Sequence, residues 1–205
     1  LHSFPTLRSS DLSKIYQLKN DPDYPFYYVF DVDYENFSIK VFFDKNLKKL
    51  MYENISKISQ KPVSTATENN KIYSDAIIRI HTKNDSVHLH RDNSNFEMDE
   101  YNVSMLKNQL SAILYLQSPE KGGELTIFHK MWNRNDECMR EPDFGYSSEL
   151  IKDVKQTKIS PVEGNMVILN PKFYHQIEHV TGLRNRISIG FFFGELSKNY
   201  LCSWS

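Results

Sequence analysis

Cysteine is nearly missing from this chain: Cys138 and Cys202 are the two in 205 residues. Two isolated thiols do not make a disulfide framework, and neither sits beside a residue that would mark a catalytic cysteine. A reduced, cytoplasmic protein is the expectation. An excess of charge of one sign is missing as well, since 25 Lys+Arg against 26 Asp+Glu leave a net charge of -1. That balance provides no electrostatic footprint for nucleic acid or an anionic membrane, so neither is expected as a partner. No run approaches the roughly 18 apolar residues of a membrane span. No basic stretch followed by an apolar segment marks a secretory signal. Internal repeats and low-complexity tracts are absent too.

What is present is a β-rich pattern, with 13 Phe, 12 Tyr and 40% hydrophobic residues. The length suits one well-buried core and is short for two full domains. Residues 1–12 read as a non-native leader, similar to a translated sequencing-adapter remnant, and are set aside. Residues 13–71 are expected to supply N-terminal strands and a supporting helix, and residues 72–205 the core. Tyr27, Val29, Phe37, Ile39, Val41 and Phe43 suggest short strands. Asp44 then reads as an N-cap, and Leu47, Leu50, Met51, Ile55 and Ile58 recur at helical spacing over 45–58. Residues 64–71 read as a loop. Strands follow at 75–81, 86–91, 110–117, 123–129, 157–160, 165–170, 173–180 and 186–193, separated by turn residues such as Gly122-Gly123 and Asn170-Pro171. Many short strands with few helices predict a mainly β sandwich or barrel with flanking helices. The polar stretch 130–156 reads as an insertion of the kind that forms lids or binding loops.

Within this frame stands His90-Arg91-Asp92, followed 83 residues later by His175 and then by Arg186-Ile187-Ser188. Alternate residues of an extended segment share a face, so His90 and Asp92 project together. A distant third ligand completes a two-histidine, one-carboxylate triad that leaves one side of a metal open, as in non-heme Fe(II) oxygenases. The dipeptide pattern alone is uninformative: seven histidines and thirteen aspartates produce about 0.4 chance matches from composition. His175 taken alone reads first as a satisfied core histidine. Arg186 and Ser188 share a strand face opposite Ile187, Ile189 and Phe191, where a guanidinium and a hydroxyl can grip a carboxylate. The structural alternative for Arg186 is an internal salt bridge with Glu195 or Glu163. Arg184 is its rival for the carboxylate.

His90-x-Asp92, Ile113-Leu114-Tyr115-Leu116, Gly122-Gly123-Glu124-Leu125, His175 and Arg186-x-Ser188, in that order, resemble the Fe(II)- and 2-oxoglutarate-dependent dioxygenase superfamily over roughly residues 72–195. The resemblance implies a double-stranded β-helix, the cupin-like jelly roll. It assigns iron to His90, Asp92 and His175, and the distal carboxylate of 2-oxoglutarate to Arg186 with Ser188 and Tyr115. It implies O2 as cosubstrate, ascorbate as reductant, and hydroxylation coupled to decarboxylation of 2-oxoglutarate to succinate. Residues 122–132 with Asn135-Asp136-Glu137 further resemble the prolyl-hydroxylase-like branch that holds radical halogenases and hydroxylases of free amino acids. In the halogenases a small residue replaces the carboxylate ligand, so Asp92 implies hydroxylation.

The expected substrate is a free amino acid, with a peptidyl proline or another protein side chain as the alternative. His88, Asn93, Trp132 and Trp204 are candidate substrate contacts, and Ile187 and Phe191 a candidate apolar wall of the cavity. Two readings from other classes stand beside the oxygenase. One is a metal-binding cupin-like module without oxygenase activity, which His88-Leu89-His90 suggests but no suitably spaced glutamate completes. The other is a silent jelly-roll interaction protein, which would need neither Arg186 nor the three ligands.

Overall fold

The computed structural model describes the backbone of residues 27–31 and the whole of residues 47–74 and 76–205. The leader at 1–12, the cap at Asp44 and the strand positions between 37 and 43 lie outside the described residues. In chain order the elements are β1 (Tyr27–Asp31), α1 (Leu47–Ser59), β2 (Val63–Thr65), β3 (Thr67–Glu68), β4 (Lys71–Ile72), β5 (Ile77–His81), β6 (Val87–His90) and α2 (Ser94–Glu97). They continue with β7 (Lys107–Gln117), β8 (Leu125–Met131), β9 (Gln156–Ile159), β10 (Asn165–Leu169), β11 (Phe173–Ile177), β12 (Arg186–Ser197) and β13 (Tyr200–Trp204). Short 3-10 turns occupy Asn102–Met105, Arg134–Met139 and Ser148–Ile151.

Among the described residues the main strands form two facing sheets, the arrangement of a double-stranded β-helix, and β3 and β4 pair as a separate two-stranded ribbon. The larger runs β1-β10-β7-β12-β13-β2, with β5 also paired to β12; the smaller runs β6-β11-β8-β9. Side-chain alternation on β7 explains the layering. Leu110, Ala112, Leu114 and Leu116 face outward and pack with Leu47, Met51 and Ile55 of α1. Those three helix residues recur every four positions and are all buried, while Lys48 and Lys49 lie between them. Tyr115 and Ile113, on the other face of β7, turn inward to meet Leu125, Ile127, Val167 and Ile177 between the sheets. Packing α1 on one sheet leaves the space between the sheets for the site.

Two expectations change here. Residues 64–71 are not a plain loop but carry parts of β2, β3 and β4, where β2 pairs parallel to β13. The strand β13 itself had no counterpart in the sequence reading. It returns antiparallel on β12 after a tight turn, burying Trp204 to 2% exposure beside Val103, Leu106 and Cys202. No helix among the described residues is long and apolar enough to cross a membrane.

Candidate metal centre

Strand β11 runs antiparallel to β6 and sets His175 directly opposite His90, with ring centroids 4.2 Å apart. In each ring Nδ1 lies 2.8 Å from the carbonyl two residues earlier, His88 O for His90 and Phe173 O for His175. A carbonyl only accepts, so Nδ1 carries the proton and the Nε2 lone pair is left for a ligand. Asp92 lies beyond the end of β6 rather than in it, which corrects the expectation of one extended segment. Its backbone N–H donates to Pro171 O at 2.8 Å, tying it to the turn that leads into β11. Asp92 Oδ2 thereby stands 3.4 Å from His175 Nε2 and 3.9 Å from His90 Nε2. The three ligand atoms lie within 4.8 Å of one another.

Burial, followed by the neighbouring His175, lowers the His90 pKa to about 4, so its imidazole is neutral around pH 7. Burial acts against ionisation of Asp92, but contact with His175 and the nearby His90 outweighs it and keeps the carboxyl below its usual range. Two imidazoles and one carboxylate converging from one side fit Fe(II) and leave the opposite side open.

The three candidate ligands border a cavity of about 110 Å³ whose opposite wall carries Arg186, Ser188, His81 and Arg79 from β12 and β5. Arg186 is 1% exposed. Its Nε donates to Gly123 O at 3.0 Å, and Nη1 lies 3.2 Å from Ser188 Oγ and 3.4 Å from His81 Nδ1. Burial, and then Arg186 itself, lowers the His81 pKa, so that ring is a neutral neighbour. Among the described residues no carboxylate is paired with Arg186; Glu195 takes Lys61, and Glu163 takes Arg184 at 3.0 Å. The salt bridge considered from the sequence does not form. Burial draws the Arg186 pKa down from its ordinary value, yet a guanidinium remains cationic. Tyr115 stacks beneath it, 5.0 Å from ring centroid to Arg186 Cζ. Its buried hydroxyl meets Arg186 but, among the described residues, has no partner in full hydrogen-bond alignment. A buried cation with no carboxylate partner among these residues, beside a hydroxyl without an aligned acceptor, leaves room for an anion. Gly123 makes this geometry possible: a Cβ there would lie 2.9 Å from Arg186 Cδ, and its φ of +73° disfavours any other residue.

The stretch 130–156, expected as a lid, braces the ligands from behind. Arg91, between His90 and Asp92, has a completely buried side chain. Glu137 Oε1 accepts from Arg91 Nη2 at 3.1 Å, from Trp132 Nε1 at 2.6 Å and from the Tyr146 hydroxyl at 2.6 Å. Arg91 Nη1 also lies 3.1 Å from Glu97, at ion-pair distance without hydrogen-bond alignment. Its guanidinium stacks 4.4 Å from the Trp132 ring centroid. Burial would raise the Glu137 pKa, but the hydrogen bonds from Tyr146, Trp132 and Arg91 bring it down to about 2. The adjacent Asp136 accepts from the hydroxyl of Tyr174 at 3.0 Å, next to His175. Two consecutive acids thus hold the residue beside each histidine ligand.

The family model described as the carrier-protein-independent halogenase WelO5 matches residues 14–203. The chain belongs to this family. The WelO5 family lies within the Fe(II)- and 2-oxoglutarate-dependent oxygenases, which agrees with the fold and the triad. Leucinostatins biosynthesis cluster protein S of Purpureocillium lilacinum is 27% identical over 57% of this chain and 48% of its own length. The L-gamma-glutamyl-L-propargylglycine hydroxylase of Streptantibioticus cattleyicolor is 25% identical over 60% of this chain and 46% of its own length. The chain therefore spans about half the length of these relatives. An N-substituted L-amino acid dioxygenase of Burkholderia ambifaria AMMD, solved in complex with alpha-KG, shares the fold at TM-score 0.55 and 14% identity, over 79% of this chain and 63% of that one.

Several candidate residues of this WelO5-family chain lie away from the cavity. Between His175 and Ile177 the opposite strand advances from His90 to Val87, a one-residue bulge. The bulge breaks the parity that would have brought His88 in; His88 is exposed and lines a neighbouring groove. Trp132 is engaged by Glu137 and Arg91, Trp204 is in the core, and Asn93 is buried outside the cavity lining. Arg184 is exposed and paired with Glu163. Ile187 packs on the α1 side, and the apolar lining comes instead from Val87, Ile113, Leu125, Ile177 and Phe191. The insertion's aromatic next to the ligands is Phe144, 5.4 Å from the His90 ring. His81, Arg79 and Phe144 escaped the sequence reading. A signal existed for the first two, since Arg79 and His81 alternate with Ile78 and Ile80 in the predicted strand.

Proposed function

We propose that this chain is an Fe(II)- and 2-oxoglutarate-dependent hydroxylase acting on an unactivated C–H bond of a small, amino-acid-like substrate. His90, Asp92 and His175 would hold the iron, and Arg186, Ser188 and Tyr115 the far carboxylate of 2-oxoglutarate. Bound there, iron and 2-oxoglutarate with O2 would supply the oxidation, with succinate and CO2 as coproducts; ascorbate would act as reductant. The protein's own part is positional. The Nδ1 hydrogen bonds of both histidines fix their ring planes and tautomers. Arg186, held by Gly123 O, pre-orients two donors toward a planar carboxylate. The apolar lining limits water around the metal-facing space.

The observation that carries hydroxylation within a family named for a halogenase is the Asp92 carboxylate, 3.4 Å and 3.9 Å from the two histidine nitrogens. With iron bound, a carboxylate there would take the coordination position that halide would need. The relatives that act on amino-acid derivatives support the substrate class.

The test begins anaerobically, with Fe(II) and then 2-oxoglutarate, where the charge-transfer band of the chelate should appear in the folded protein and vanish in His175→Ala. Aerobic turnover of amino acids and proline-rich peptides in chloride buffer should then release succinate with a product 16 Da heavier. A chlorinated product would contradict the role given to Asp92. No band in a folded protein would rule out the oxygenase.

A further inference from the structure

We propose that Arg79 is a second anion site at the open side of the cavity and binds the carboxylate of the substrate, restricting the enzyme to molecules with a free carboxylate such as α-amino acids and their N-acyl derivatives. This rests on the hydroxylase reading above and adds the group that recognises the substrate. Strand β5 pairs with β12 so that His81 stands opposite Arg186 and Arg79 opposite Ser188. Cross-strand partners project on the same face, which here is the cavity face. The guanidinium of Arg79 then extends over the next residue of that face, Gly190: a Cβ there would lie 3.7 Å from Arg79 Nη1. A larger residue at 190 would compete for the space this side chain uses.

The two arginines of this wall divide by depth. Arg186 is buried and held by Gly123, Ser188 and His81. Arg79 is exposed, and among the described residues it has no carboxylate partner. A dicarboxylate cosubstrate that spans from Arg186 to the metal uses the deep cation and leaves the outer one. Among the described residues no lysine lines the cavity. One remaining guanidinium, with its planar pair of donors, matches one carboxylate better than a phosphate, which usually draws several donors. Arg79 lines the same cavity as His90, Asp92 and His175. A carboxylate bound at Arg79 therefore places the rest of an amino-acid-sized molecule next to the metal.

The test uses the full chain, loaded anaerobically with Fe(II) and 2-oxoglutarate, as wild type, Arg79→Gln and Arg79→Lys. The probes are the L-amino acids, their N-acetyl derivatives and the methyl ester of each, and the readout is perturbation of the charge-transfer band. At least one free acid should perturb the band, with its ester binding about 10- to 100-fold more weakly, the loss of a charged hydrogen-bonded pair. Arg79→Gln should weaken the acid to the level of the ester, and Arg79→Lys should recover part of the loss. Affinity for 2-oxoglutarate should stay within about twofold and the melting temperature should not change, since the side chain is exposed. The inference is overturned if Arg79→Gln weakens 2-oxoglutarate instead, if acid and ester bind alike, or if no probe perturbs the band. Absence of the band before any probe is added would fail the hydroxylase reading, a separate result.

Discussion

Two buried arginines sit on opposite sides of the same three ligands and differ in one respect. Arg91, behind the ligands, is enclosed by Glu137, Glu97 and three aromatic rings. Arg186, across the cavity, is as deeply buried but meets a carbonyl, a hydroxyl and an imidazole, with no carboxylate among the described residues. Burying an ion is costly unless it is paired. The balanced charge behind the ligands belongs to the architecture. The unbalanced one in front suits a ligand that brings its own negative charge, the chemistry of the proposed 2-oxoglutarate.

The contrast can be broken from either side, and the largest effect is expected behind the ligands. Arg91→Met leaves Glu137 and Glu97 without their cation and should destabilise the fold by about 4 kcal/mol in denaturant titration, as for one half of a buried pair. Glu137→Gln should cost less, about 2 kcal/mol, because two neutral donors keep an acceptor. It should also flatten the acid limb of stability. The Glu137 pKa of about 2 lies below its ordinary 4.5, so its contribution is fully present above pH 4.5 and is lost as the pH falls toward 2. If the variant keeps the wild-type acid limb, Glu137 is not the group responsible.

Gly123→Ala tests the front. It strains a φ of +73° and meets Arg186 Cδ at 2.9 Å. A stability loss of about 1–2 kcal/mol should accompany weaker 2-oxoglutarate binding. The smallest change in stability is expected from Arg186→Met, within about 1 kcal/mol of wild type in either direction, because it removes a buried charge that no carboxylate balances. A loss as large as that of Arg91→Met would mean that Arg186 has a structural counter-ion.

Legibility in the sequence followed the range of the interaction. The strand positions, His90, His175 and the Arg186–Ser188 face depend on alternation within single strands, whereas Asp92, beyond the end of β6, is placed by its bond to Pro171. What local pattern could not show was the bulge between Val87 and His90, which turns His88 outward although it shares the parity of His90. It also could not show that Asp136 and Glu137 reach Tyr174 and Arg91, 38 and 46 residues away along the chain. A polar insertion rich in charge reads as a lid until its partners are known. Trp204 read as a substrate contact because the hairpin that returns β13 onto β12 was not recognised. Arg79 and His81 gained meaning only once β5 was paired with β12.

The most direct measurement is anaerobic titration of 2-oxoglutarate into the Fe(II)-loaded wild type and the Arg186→Met variant, followed by the charge-transfer band. Folding and iron affinity should be alike in the two proteins, with 2-oxoglutarate bound about 100-fold more weakly by the variant. Equal affinity for 2-oxoglutarate would contradict the account, because the uncompensated cation facing the metal would then have no ligand to explain it.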